Sequence, residues 1–317
     1  MELDPAMQDR ARGCAVGAAV GDALGMPLEF GPRQPADRLV REMRSGRIPA
    51  GTFTDDTEMA LSLADSLLAH CPLDPADLAQ QFVAWHRSGP DDVGIHTSSV
   101  LSRVASGEPW EQAAKAVQRQ RPESAGNGSV MRCWPVALAH WDNLDRLLAD
   151  SRLQSNVTHR HPECVEGSSF VNAAIHYLLR ENSPVEAVAR ALKAVEMPES
   201  LRAVVAAAPD RRREELKNSG WVRHTLESAV WGLLSTDSFE EAVIQVVNLG
   251  NDADTAGAVV GALAGAAYGL EAIPAQWRDA LHGEWPLKSG TRWSTLELVD
   301  LADRLLGCAP GIRSGTI

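Results

Sequence analysis

The sequence lacks most of the marks of secreted, membrane-spanning and nucleic-acid-binding chains. Its five cysteines, Cys14, Cys71, Cys133, Cys164 and Cys308, are odd in number, widely spaced and contain no CxxC pair. That pattern argues against a disulfide framework or a thiolate zinc site and fits reduced thiols in a cytoplasmic protein. Positive charge is in deficit, with 30 Lys and Arg against 42 Asp and Glu, a net charge of -12. A surface of that sign is no footprint for nucleic acid or anionic lipid, so neither a membrane nor nucleic acid is expected as a partner. The longest uncharged apolar run, Ala256 to Leu270, is shorter than the roughly 20 residues a membrane span needs. The acidic start, Met1-Glu2-Leu3-Asp4, has neither the basic nor the apolar region of a signal peptide. No run of alternating β-branched residues stands out, and nearly every segment has helical period, which predicts an all-α protein.

What is present reads as one compact helical domain over residues 8–306, with a loosely held tail at 307–317. Helices are expected over 8–28, 57–70, 75–88, 95–106, 109–120, 130–140, 164–181, 184–195, 222–235 and 238–249, and after Thr255. Residues 31–53 form a long Gly- and Pro-rich loop, with a short helix at 36–44, of the kind that serves as a lid or binding loop. The charged segment 207–220 reads as a solvated turn. Gly13, Gly17, Gly21 and Gly25 recur every fourth residue, and Gly257, Gly261, Gly265 and Gly269 repeat the device. Each glycine costs a helix interior about 0.5–1 kcal/mol, so the two stripes predict close packing on neighbouring elements, including each other.

Two acidic stretches stand at expected helix starts: Thr54-Asp55-Asp56-Thr57-Glu58, and Asn251-Asp252-Ala253-Asp254-Thr255 before the most buried-looking helix. Carboxylates beside a buried helix call for a compensating cation. Hard oxygen ligands without nearby Cys or His favour Mg²⁺ or Mn²⁺ over zinc, which predicts that the stretches converge on one site holding two metal ions. Asp22 interrupts the apolar first helix, and Glu29, taken alone, is a solvated charge on the turn after Pro27. Asp91-Asp92 reads as a polar turn. Gly126-Asn127-Gly128 before an apolar helix is either a plain turn or a phosphate cradle. His159-Arg160-His161 has no third ligand for zinc, which leaves substrate contact or helix capping.

Taken together, Gly21-Asp22-Ala23-Leu24-Gly25, Glu29, Thr54-Asp55-Asp56-Thr57, Gly126-Asn127-Gly128, His159-Arg160-His161-Pro162 and Gly250 to Thr255 form an ordered set. The set resembles the ADP-ribosylglycohydrolases, and within them the dinitrogenase reductase-activating branch that removes ADP-ribose from arginine. The resemblance implies a compact all-helical fold with a dinuclear Mg²⁺ or Mn²⁺ centre. It implies metal ligands at Thr54, Asp55, Asp56, Asp252, Asp254 and Thr255. It places Glu29 and Asp92 as the carboxylates that orient substrate or move the proton, with Asp55 and Asp254 joining them in the catalytic set. It makes Gly126, Asn127, Gly128, Ser129 and Met131 the loop that cradles ADP-ribose, with His159 lining the pocket. The expected partners are an ADP-ribosylated protein and the product ADP-ribose. Ile95-His96 and Trp221 depart from the branch on the side where the target group would sit. Other readings are another ADP-ribose adduct (on serine, on a nucleic-acid base, or a free derivative), and an immunity protein that blocks an ADP-ribosylating enzyme by occlusion through residues 31–53.

Overall fold

A computed structural model describes residues 4–309. Its helices are α1 (Pro5–Gly25), α2 (Asp55–Ala69), α3 (Pro75–Arg87), α4 (Ile95–Ala105) and α5 (Trp110–Gln120). Then come α6 (Trp134–Ala139), α7 (Leu144–Asn156), α8 (Pro162–Leu178), α9 (Pro184–Ala194) and α10 (Glu199–Ala207). The last are α11 (Val222–Leu234), α12 (Phe239–Val247), α13 (Ala253–Tyr268), α14 (Ala275–Ala280) and α15 (Thr295–Leu306). Sequence marks many of the starts. Asp4 and Asp74 cap α1 and α3 ahead of a proline at the first helical position. Ser183 with Glu186, and Ser294 with Glu297, form capping boxes on α9 and α15. None of the described helices is long and apolar enough to cross a membrane.

The core is built on α1 and α13, which run antiparallel with their glycine stripes face to face. A methyl group at Gly21 would overlap the Gly257 carbonyl, one at Gly17 would overlap Gly261, and one at Gly13 would overlap Gly265. The stripes therefore do pack on each other, and the backbones touch where side chains would hold them apart. This pairing also sets the position of the acidic stretches. Gly25, at the end of α1, lies against Ala253 and Asp254 at the start of α13.

Several expectations need correction. No helix forms at 36–44, because the Val40 backbone is committed to Asn248: its N–H donates to Oδ1 at 2.7 Å and its carbonyl accepts from Nδ2 at 2.9 Å. The helix expected at 130–140 shrinks to α6, because turns occupy the residues before Trp134. Segment 207–220 is solvated along its charged residues, as expected, but Leu216 and Asn218 anchor it by burial, and Arg211 pairs with Glu227 at 2.9 Å. Helices α7, α10, α14 and α15 have no counterpart in the sequence reading.

The all-α expectation holds, with one small two-stranded hairpin added to the helices among the described residues. Strands β1 (His282–Glu284) and β2 (Arg292–Ser294) pair antiparallel with Gly283 opposite Trp293. The hairpin braces the entry to α2, since Phe53 N–H donates to the His282 carbonyl at 3.1 Å and the Phe53 ring packs where a Gly283 side chain would stand. The expected tail meets the described residues only at 307–309, where Cys308 and Ala309 are buried, and the rest of it lies outside them.

Candidate active site

Three connections bring the distant stretches to one cleft of about 520 Å³. The first is Asp22, fully buried in α1, which reaches the start of α2. Its carboxylate accepts from Thr54 N–H at 2.9 Å, Thr54 Oγ1 at 2.8 Å, Thr57 N–H at 3.2 Å and Thr57 Oγ1 at 2.6 Å. Helix α2 has no side-chain cap of its own at Thr54, so α1 supplies the acceptor and the negative charge that a helix N-terminus favours.

The second connection ties the turn after α1 to the turn before α13. Phe30 N–H donates to the Asn251 carbonyl at 2.6 Å, and Asn251 N–H returns to the Gly31 carbonyl at 2.8 Å. Phe30 and Asn251 hold φ of 59° and 56°, and a bulky residue such as Phe30 adopts that conformation only under constraint. The exchange brings Glu29 inward. Its side chain is 7% exposed, so the solvated-charge reading of Glu29 does not survive.

The third connection is Asn127, whose amide donates to Thr225 Oγ1 at 2.9 Å and to Asp252 Oδ2 at 2.5 Å. It ties the Gly126–Gly128 loop to the acidic stretch before α13. Asn218 supports the same turn by donating to the Gly250 and Asp252 carbonyls at 2.7 and 3.1 Å.

Most of the sequence-derived residues meet on this cleft. Glu29, Asp55, Asp56, Asp92, Asp252, Asp254 and Thr255 line it, together with Gly126, Asn127, Gly128, Met131 and His159. The side chains of Thr54 and Ser129 do not line it. Thr54 is buried between Asp22 and Asp56, and Ser129 is turned toward Ser155 at 2.9 Å. Of the HxH pair, His161 caps α8 by accepting from Glu163 N–H at 3.2 Å.

Sequence reading missed Arg47, for which no spacing gives a signal. Its guanidinium reaches into the site from the long loop, pairing with Glu29, with Asp92 at 2.8 Å and with Asp254 at 3.6 Å. Burial works against its charge, but the surrounding carboxylates outweigh burial and raise its pKa.

The electrostatics are those of crowded, desolvated acids. Burial, and then repulsion from neighbouring carboxylates, holds Asp55, Asp56 and Asp254 well above the ordinary carboxylate range. Burial likewise raises Asp252, against the opposing hydrogen bond from Asn127. Glu29 is pushed up to about 7, chiefly by burial. Glu29, Asp252 and Asp254 each bring a carboxylate oxygen within 4.8 Å of the others. Asp56 Oδ1 is buried without a hydrogen-bond partner among the described residues. An orphaned anionic oxygen in a set made only of hard oxygen donors fits a small divalent cation.

Comparison with known proteins shows the family. The family model for ADP-ribosylglycohydrolase matches residues 3–312. The chain is 36% identical over 288 residues to "ADP-ribosylarginine hydrolase Tri1" of Serratia proteamaculans, covering 86% of this chain and 75% of that protein. It is 34% identical over 285 residues to the "ADP-ribosyl-[dinitrogen reductase] glycohydrolase" of Rhodospirillum rubrum, covering 87% of this chain and 92% of the relative. Among solved structures, a chain of an "ADP-ribosylglycohydrolase-related protein complex" superimposes with a TM-score of 0.80 at 35% identity, covering 95% of this chain and 98% of its own. With its acidic stretches joined across the α1–α13 core, this chain belongs to the ADP-ribosylglycohydrolase family.

Proposed function

We propose that the protein hydrolyses the N-glycosidic bond between ADP-ribose and an arginine side chain, reversing mono-ADP-ribosylation. The observation that carries the reading is the convergence of Glu29, Asp252 and Asp254 within 4.8 Å in a cleft that also holds the Gly126–Gly128 loop. The arginine acceptor is favoured by the Serratia relative, whose name is that of an ADP-ribosylarginine hydrolase.

Asp55, Asp56, Asp252, Asp254 and Thr255 would hold two Mg²⁺ or Mn²⁺ ions, and Thr54 joins them as a candidate ligand. Bound there, the ions would supply Lewis-acid orientation of the ribose and activation of water. The rest belongs to the chain. The Gly126–Gly128 loop and His159 receive the ADP-ribose. Asp92, at the cleft wall, is the carboxylate assigned to the side of the reacting ribose. In the reaction the oxygen of water bonds to the anomeric ribose carbon, the carbon–nitrogen bond breaks, and the departing guanidino nitrogen gains a proton. Glu29, raised to about 7 by burial, can hold and release that proton near neutral pH.

The experiment is release of ADP-ribose from two peptides, one modified on arginine and one on serine. Each is assayed with Mg²⁺, Mn²⁺ or EDTA, beside the Asp252→Ala, Asp254→Ala double variant. Arginine-specific release that EDTA and the double substitution abolish is the expected result. Release from serine alone, or release indifferent to EDTA, overturns the reading.

A further inference from the structure

Behind the cleft wall lies a fully buried arginine without an acidic partner among the described residues. Arg132 Nη2 donates to Thr158 Oγ1 at 2.7 Å and to the Gln154 carbonyl at 3.2 Å, and Nε donates to Gln154 Oε1 at 3.2 Å. Its guanidinium lies over the Phe82 ring, 4.2 Å from the centroid. Burial lowers its pKa to about 9, which leaves it a cation at neutral pH. A buried cation without counter-charge is costly, so the position calls for more than packing.

The same threonine hydroxyl lies 2.8 Å from His159 Nδ1. A guanidinium only donates, so Thr158 accepts from Arg132; Nδ1 is the one remaining partner of the hydroxyl among the described residues, and giving it the hydroxyl hydrogen leaves no buried donor unpaired. His159 Nδ1 is then the acceptor, and the ring proton sits on Nε2. That edge of the ring packs against the cleft loop: a side chain at Gly128 would stand 3.2 Å from Nε2, and one at Gly126 would stand 3.4 Å away. The stacked neighbour, His96, is fixed in the same sense. Its Nε2 lies 3.1 Å from the Thr158 carbonyl, which only accepts, and its ring centroid is 4.6 Å from that of His159.

We propose that Arg132 is a positioning residue that, through Thr158, holds His159 as the neutral Nε2–H tautomer, presenting a hydrogen-bond donor to a phosphate oxygen of the ligand. An anionic oxygen can only accept, so the opposite tautomer would turn a lone pair on it. Burial, with His96 and Arg132 beside the ring, keeps His159 well below its ordinary pKa and therefore uncharged. The ligand side of the proposal rests on the ADP-ribose reading above, whereas the tautomer does not.

The test is nitrogen-15 NMR of the imidazole rings, with His159→Gln used to assign the His159 signals, alongside calorimetric titration of ADP-ribose in Mg²⁺ buffer. Wild-type His159 is expected as the Nε2–H form. Thr158→Val is expected to lose that preference and to weaken ADP-ribose binding by about tenfold, and Thr158→Ser, which keeps the hydroxyl, to restore both. A wild-type ring carrying its proton on Nδ1 overturns the relay even if ADP-ribose binds, and needs no variant to fold. An unchanged tautomer in Thr158→Val overturns it as well. A wild-type Nε2–H ring in a protein that binds no ADP-ribose overturns the ligand assignment and leaves the tautomer relay standing.

Discussion

Arg47 forms an ion pair with Glu29 of the cleft, and the same guanidinium lies 2.8 Å from Asp92 and 3.6 Å from Asp254. The chain thus carries its own cation among carboxylates that would serve a metal. A cation so placed stabilises the acids and also repels a divalent ion at the same oxygens. Arg47→Met is therefore expected to lower the melting temperature in EDTA and to tighten Mg²⁺ binding by roughly tenfold, given partial solvent screening. Calorimetric titration with Mg²⁺ reads the second effect. An unchanged or weaker affinity would mean that Arg47 does not compete with the metal.

Asp22 offers a different test, because it meets no part of the cleft wall yet anchors one side of it. Removing its carboxylate leaves the Thr54 and Thr57 N–H groups without their acceptor in a buried place. Asp22→Ala is expected to cost about 3 kcal/mol in urea denaturation. Asp22→Asn, which keeps one acceptor oxygen, should cost clearly less. Equal losses in the two variants would show that charge, not hydrogen bonding, holds α2 in place.

These two residues show where sequence stops being informative. The glycine stripes are legible because their four-residue period survives any loop path, and they meet as that period requires, Gly21 against Gly257 and Gly17 against Gly261. The acidic stretches are legible because two carboxylates at a buried helix start are costly without a cation. Glu29 is legible only through the family resemblance, since its inward position comes from backbone bonds between Phe30, Gly31 and Asn251 that carry no side-chain signature. Arg47 is hidden for the same reason: its place follows from the course of an irregular loop. The missing helix at 36–44 shows the converse, a local pattern overruled by the distant amide of Asn248.

The α1–α13 contact predicts a steep contrast between glycines. At Gly21 a methyl group meets the Gly257 backbone, which cannot turn aside as a flexible side chain would. Gly21→Ala is expected to destabilise by 3 kcal/mol or more, at about the upper end of overpacking costs. Gly107 has φ of 96° but nothing within 4 Å of an added Cβ. There Gly107→Ala should cost only the backbone strain, about 1 kcal/mol. Thermal melts of the two variants decide it, and a Gly107 loss as large as that at Gly21 would refute the close-packing account.

The pH dependence of stability follows from another buried acid. Glu58 in α2 accepts from Trp85 Nε1 at 2.8 Å, and burial pushes it up to about 7 from an ordinary 4.5. A carboxyl raised on folding binds its proton more tightly in the native state. Its contribution is complete below the unfolded value and is lost as pH rises through the folded one. Without divalent metal, stability should therefore fall between about pH 4.5 and 7 on account of Glu58, with Glu29 acting in the same direction. The buried histidines act oppositely. His176 is lowered to about 4, chiefly by burial, so its contribution is present above about 6.5 and is lost as pH falls toward 4. The difference between wild type and Glu58→Gln isolates the acid, because glutamine keeps an oxygen for Trp85 but has no proton to lose. Denaturation in EDTA at pH 5 and pH 8 should show Glu58→Gln gaining on wild type by roughly 1–3 kcal/mol at the higher pH. A constant difference between the two pH values would mean that Glu58 titrates near its ordinary range and that its burial costs little.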